Sequence, residues 1–141
     1  MNPEPPIADD LLRAVVAALP RWLPSFGSIL WVADQRGVRV LSPLLTAPLR
    51  GILATQARDL PNLGVLGAEG QFLILVDVAT IRGPMTARRL HLLRRLFETD
   101  QVPLSVLTVF RNRRDLQWLS TPAWGSSIWC LDEPSHFIRL D

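Results

Sequence analysis

The chain has 141 residues, 48% hydrophobic and 20% charged, which is enough apolar material for one domain with a buried core and excludes disorder over most of its length. All 15 basic residues are arginine against 13 acids, for a formal charge of +2. Without lysine the chain lacks a P-loop lysine, a Schiff-base lysine and the lysine of the usual metal-dependent nuclease motif. A single cysteine rules out an intrachain disulfide and a cysteine-rich zinc site, and fits a reducing compartment.

Residues 1–8, with Pro3, Pro5 and Pro6, are expected to form a loose tail, leaving 9–141 as one domain. Asp9 and Asp10 offer N-caps for a helix over 10–19, whose Leu11, Leu12, Val15, Val16 and Leu19 follow the 3.6 period up to Pro20. A connector over 20–27 leads to a buried strand over 28–33 (Ser-Ile-Leu-Trp-Val-Ala). Asp34-Gln-Arg-Gly37 reads as a turn, after which 38–42 is either the return strand of a hairpin or the approach to a helix. Pro43 and Pro48 place the next helix at 49–59. A short strand follows at 63–66, then the clearest strand of the chain at 72–78 (Phe-Leu-Ile-Leu-Val-Asp-Val), apolar on both faces like a central parallel strand.

Gly83-Pro84 opens a helix over 84–98 with Leu90, Leu93 and Phe97 as its inner stripe. A second buried strand spans 102–110, and the polar turn 111–114 leads to a short helix ending near 119. A strand at 127–131 and a short edge strand at 137–140 complete the chain. Strand–helix–strand–helix–strand in the second half predicts an α/β fold: a single three-layer domain with a mostly parallel sheet of about five strands. No secretory signal opens the chain and no apolar run reaches membrane-spanning length, so the expectation is a cytoplasmic protein without membrane contact.

In a parallel sheet, ligands gather beyond the carboxyl ends of the strands. Asp34, Asp77, Thr108 and Asp132 stand at or near such ends, and as parallel neighbours they would form an acidic pocket suited to Mg²⁺. The competing explanation is that loops begin with polar residues whatever their function. Asp77 differs from the others because it lies within an apolar run, and a buried carboxylate needs a partner such as a backbone amide or an arginine. His91 and His136 are the only histidines. No nucleophile elbow or metal-ligand spacing accompanies them, which leaves no catalytic residue to name, and Cys130 reads as an inert core thiol.

Five segments occur in order: Ile29-Leu-Trp-Val-Ala-Asp34, Leu73-Ile-Leu-Val-Asp77, Leu92-Leu-Arg-Arg-Leu96, Val106-Leu-Thr108 and Gly125-Ser-Ser-Ile-Trp129. The set resembles the landmarks of bacterial response-regulator receiver domains over about 28–134. The resemblance implies that Asp34 is one member of an acidic pair, Asp77 the phosphoacceptor and Thr108 the switch hydroxyl. Ala33 replaces the other acid and Asp132 stands where the family has lysine. What the resemblance implies is therefore a degenerate receiver: a regulatory, protein-interaction module without phosphorylation switching, without an enzyme's apparatus and without a required cofactor.

A second reading is nucleic-acid binding by a degenerate nuclease-like α/β domain. Arg88 and Arg95 share a helix face with His91, while Arg111, Arg113 and Arg114 crowd one turn, and such a set can grip phosphates. Cutting by the usual nuclease motif is excluded, because Asp77-Val-Ala79 has alanine where that motif places lysine. Trp118, Trp124 and Trp129 concentrate bulky apolar groups near the C-terminus and mark an expected homodimer or partner surface, with a core role as the alternative.

Overall fold

The computed structural model describes residues 9–83, 85–98, 102–118 and 123–140. The tail expected over 1–8 lies outside the described residues. In chain order the elements are α1 (Asp10–Trp22), β1 (Phe26–Asp34), β2 (Gly37–Val40), α2 (Ala47–Thr55), β3 (Leu63–Gly67), β4 (Leu73–Val78), α3 (Ala79–Arg82), α4 (Ala87–Phe97), β5 (Leu104–Phe110), α5 (Arg113–Trp118), β6 (Ser127–Cys130) and β7 (Phe137–Arg139).

Among the described residues the strands form one seven-stranded sheet in the order β2-β1-β3-β4-β5-β6-β7. The sheet is mixed. Only β4–β5 and β5–β6 pair in parallel, whereas β2, β1, β3 and β4 form antiparallel pairs and β7 runs antiparallel to β6. This corrects the expected mostly parallel sheet. An apolar run specifies that a strand is buried but not which way its neighbour points. The return strand after Asp34 is real: β1 and β2 form a hairpin with Asp34 opposite Gly37.

Helices cover both faces. On one, Leu11, Leu12, Val15 and Leu19 of α1 pack on Val32, Val65, Val76, Leu107 and Trp129. On the other, Leu53 of α2 and Leu90, Leu93 and Phe97 of α4 pack on Trp31, Leu73, Leu75 and Val106. Each such fully buried leucine contributes about 1.5–3 kcal/mol relative to leaving it exposed. Asp9 caps α1 by accepting from the Leu12 amide at 2.8 Å. That helix runs through Pro20 to Trp22, past the expected stop. Proline removes the single hydrogen bond its own amide would have made, and the last turn is still closed by Leu23 N–H to Leu19 O at 2.9 Å. Thr86 caps α4 in the same way, accepting from the Arg89 amide at 3.1 Å. Among the described residues no helix is long and apolar enough to cross a membrane.

One glycine is dictated by a neighbouring ring. Trp31 is fully buried, stacks on Phe97 at 5.7 Å between centroids and donates its indole N–H to Pro61 O at 3.2 Å. Gly64 lies opposite it on β3, where an added Cβ would come within 2.1 Å of the indole ring. Gly64→Ala is therefore expected to cost about 3 kcal/mol by overpacking, read as a fall in the urea midpoint. A loss below about 0.5 kcal/mol, the size of an ordinary surface substitution, would show that the ring moves aside freely.

Candidate functional site

β1, β4, β5 and β6 all point the same way, because β3 is antiparallel to both β1 and β4. Their carboxyl ends, the start of β3 and the N-terminal ends of α4 and α5 therefore meet at one edge of the sheet. Asp77 sits at this edge next to Thr108 in the parallel register, and both are fully buried. Burying a carboxylate requires compensation, and α4 supplies it. Arg89 grips Asp77 with both prongs of its guanidinium, Nε to Oδ2 and Nη2 to Oδ1, the latter at 2.9 Å. The carboxylate side chain is 1% exposed and the guanidinium side chain 15%. The Thr108 hydroxyl beside them is buried without a protein partner.

Asn62, just before β3, was not among the expected site residues. Its Nδ2 donates to Ala33 O at 2.9 Å, its Oδ1 accepts from the Val78 amide at 2.8 Å, and its own carbonyl accepts from the Ala33 amide at 2.8 Å. One buried side chain thus ties the end of β1 to the end of β4. The sequence signal was a polar residue between Pro61 and an apolar run, which also describes an ordinary loop end.

The other expected acids share the edge but not the site. Asp34 is separated from Asp77 by β3. Its Oδ1 accepts from the Arg36 amide at 2.8 Å and its Oδ2 lies 3.9 Å from Arg39. Asp132 follows β6, where its amide donates to Arg111 O at 3.2 Å. Among the described residues no group of three or more acids, histidines or cysteines is placed to hold a metal ion.

The arginines are distributed differently. Arg88 and Arg95 are exposed on α4, and Arg111, Arg113 and Arg114 are exposed where β5 passes into α5. The helices α4 and α5 lie on the same face of the sheet: Leu116 of α5 packs beside Phe110, Ile128 and Cys130, and Phe110 and Val106 point to the same side of β5. Arg113 pairs with Glu133 at 2.8 Å in a solvent-exposed bridge. Arg94 donates to Gly125 O at 3.0 Å and pins the turn before β6. Arg82 donates to Arg58 O at 2.9 Å, and burial first, then the charge of Arg89, lowers its pKa from the ordinary arginine value.

The residues matched by the family "BsuBI/PstI restriction endonuclease domain" are 7–141. The chain belongs to this family. It is 24% identical over 135 residues to the type II restriction enzyme BsuBI of Bacillus subtilis, covering 94% of this chain and 42% of that protein. It is also similar to the structure of SdaI restriction endonuclease, with a TM-score of 0.73 and 27% identity over 97% of this chain and 44% of that one. The chain thus spans less than half the length of these relatives.

Membership in the BsuBI/PstI family overturns the receiver resemblance, and with it the reading of the chain as a receiver-like regulatory interaction module. The sheet gives the physical reason. The antiparallel strand β3 separates the strands ending in Asp34 and Asp77, and Asp77, assigned as phosphoacceptor by that resemblance, is buried against an arginine.

The expected tryptophan surface is divided. Trp129 belongs to the core: it is fully buried, stacked on Phe137 at 4.8 Å, with its N–H donated to Pro134 O at 3.0 Å. Trp124 is 75% exposed. The side chain of Trp118 lies outside the described residues. Cys130 is a core thiol, and burial first, then Asp132 and Glu133, raises its pKa above the usual thiol value. Its alkylation by iodoacetamide at pH 8 is expected to run at least about tenfold slower than that of a small free thiol. An equal rate would place Cys130 at the surface.

Proposed function

We propose that this chain is the nuclease-fold part of a restriction-endonuclease-type protein and that it engages duplex DNA through the arginine-rich edge of its sheet. Its matched relatives are restriction enzymes by name, which supports DNA as the substrate class. The observation that carries the reading to particular residues is the gathering of Arg88, Arg111, Arg113 and Arg114 where β4, β5 and β6 end. Arginine presents a planar, permanently charged fork that matches phosphate oxygens. Arg95 extends this rim along α4 by about 10 Å, at 1.5 Å per residue. The exposed Arg113–Glu133 bridge is no obstacle, because surface pairs contribute little and a phosphate replaces the carboxylate at small cost. Contacts of this kind fix where the duplex lies and carry no sequence information. Trp124, exposed on the turn before β6, is the surface we assign to a further partner, a second copy included.

Fluorescence anisotropy of a short labelled duplex tests the reading. We expect saturable binding whose affinity drops about a hundredfold or more between roughly 50 and 200 mM salt. Absent binding, or binding indifferent to salt, would exclude the arginine edge as a DNA surface.

A further inference from the structure

Type II restriction endonucleases generally work with Mg²⁺, yet the described residues of this edge do not fit that ion. Mg²⁺ takes oxygen donors in near-octahedral array and is usually held by one or two carboxylates together with substrate phosphates. The carboxylate at the end of β4 has both oxygens committed to one guanidinium. Asn62, which accepts from the amide of Val78 next to Asp77 in the chain, is a neutral amide with both hydrogen-bonding roles in use. An ionised aspartate at 62 would retain the Val78 contact but set an oxygen against the Ala33 carbonyl, so the fold itself selects an amide there. Thr108 offers a neutral hydroxyl, and Asp34, whose Oδ1 accepts from the Arg36 amide and whose Oδ2 is buried 3.9 Å from Arg39, is kept apart by β3, which lies between its strand and β4.

We propose that Arg89 is the resident counter-ion of this site: its guanidinium stands where a divalent cation would bind Asp77, so the edge meets DNA phosphates without a metal bridge. Only the last clause rests on the DNA-binding reading. Two features hold the guanidinium in place. It is bidentate, and it is mostly withdrawn from water, so an incoming ion would have to expel a desolvated charge that has lost its partner. Arg82 adds to the barrier. It is close enough to Arg89 for the two charges to oppose one another, with Asp77 and Asp59 acting in the opposite sense, so a divalent ion at Asp77 would face both guanidinium groups.

Mn²⁺, a spectroscopically visible substitute for Mg²⁺, provides the test. The free Mn²⁺ electron paramagnetic resonance signal is followed as the wild-type chain, Asp77→Asn and Arg89→Gln are added, with circular dichroism checking the fold of each. The wild type is expected to leave the free signal at the level seen with Asp77→Asn. Folded Arg89→Gln is expected to take up Mn²⁺ at least about tenfold more tightly than the wild type, a factor of ten corresponding to about 1.4 kcal/mol. Saturable uptake by the wild type that Asp77→Asn abolishes would overturn the proposal. So would a folded Arg89→Gln that binds no better than the wild type. If Arg89→Gln does not fold, the comparison of wild type with Asp77→Asn decides alone: equal signals sustain the proposal and Asp77-dependent uptake defeats it. Duplex binding is measured separately. A wild type that binds neither Mn²⁺ nor DNA refutes the DNA reading and leaves the counter-ion assignment standing.

Discussion

Replacing Arg89 with methionine is expected to lower the unfolding free energy by about 3–5 kcal/mol, the usual cost of stranding one member of a buried ion pair. The loss comes from what remains rather than from what is removed. Asp77 is 1% exposed, and without the Arg89 guanidinium it loses both charge-assisted hydrogen bonds while remaining buried. In a domain of this size the melting temperature should fall by about 10 °C, taking about 3 °C per kcal/mol. Asp77→Asn should cost less, because the Arg89 side chain is 15% exposed and is nearer to water than the carboxylate. The double variant Asp77→Leu/Arg89→Met should recover most of the loss, since an apolar pair leaves no buried charge. Urea denaturation of the wild type, Asp77→Leu, Arg89→Met and the double variant completes the cycle. If Arg89→Met cost less than about 1 kcal/mol, within the range of exposed ion pairs, the pair would not be a fixed part of the site.

The second large effect concerns DNA. Converting Arg111, Arg113 and Arg114 together to alanine removes three exposed guanidinium groups from one turn. Each phosphate contact contributes about 0.9 to the slope of log affinity against log salt. The triple variant should therefore flatten that slope by about 2–3 and bind a duplex roughly a hundredfold more weakly at about 0.1 M salt. The lower end of the range reflects Arg113, which already interacts with Glu133. Stability should change by less than about 0.5 kcal/mol, as is usual for surface substitutions. A triple variant with an unchanged salt slope would move the DNA to another surface.

The sequence revealed burial better than direction. The runs at 28–33, 72–78 and 102–110 are strands, and Leu90, Leu93 and Phe97 form the buried stripe of α4, because continuous apolar runs and 3.6 periodicity report packing directly. The short run at 63–66 concealed the decisive feature. Inserted antiparallel between β1 and β4, it turns a series of strand ends resembling a receiver into a different fold. Strand polarity depends on the sheet as a whole, and no local pattern carries it. α3, a single turn immediately after β4, also has no periodicity to detect.

At the site, Asp77 was readable as a carboxylate in need of a partner, with an arginine among the options. Which arginine was not readable. Arg88 and Arg89 adjoin in sequence, and only the orientation of α4 on the sheet turns one to solvent and the other onto Asp77. Asn62 was invisible for a related reason: its three hydrogen bonds reach strands that are far apart in sequence.

The most direct test of the central claim is duplex affinity measured by anisotropy in EDTA and in Mg²⁺ at matched ionic strength. If the arginine edge binds DNA and Arg89 serves as the counter-ion of Asp77, the two dissociation constants should agree within about twofold, and both should weaken steeply with salt. Binding that appears only with Mg²⁺ and disappears in Asp77→Asn would contradict it, because the cation would then be bridging Asp77 to the DNA.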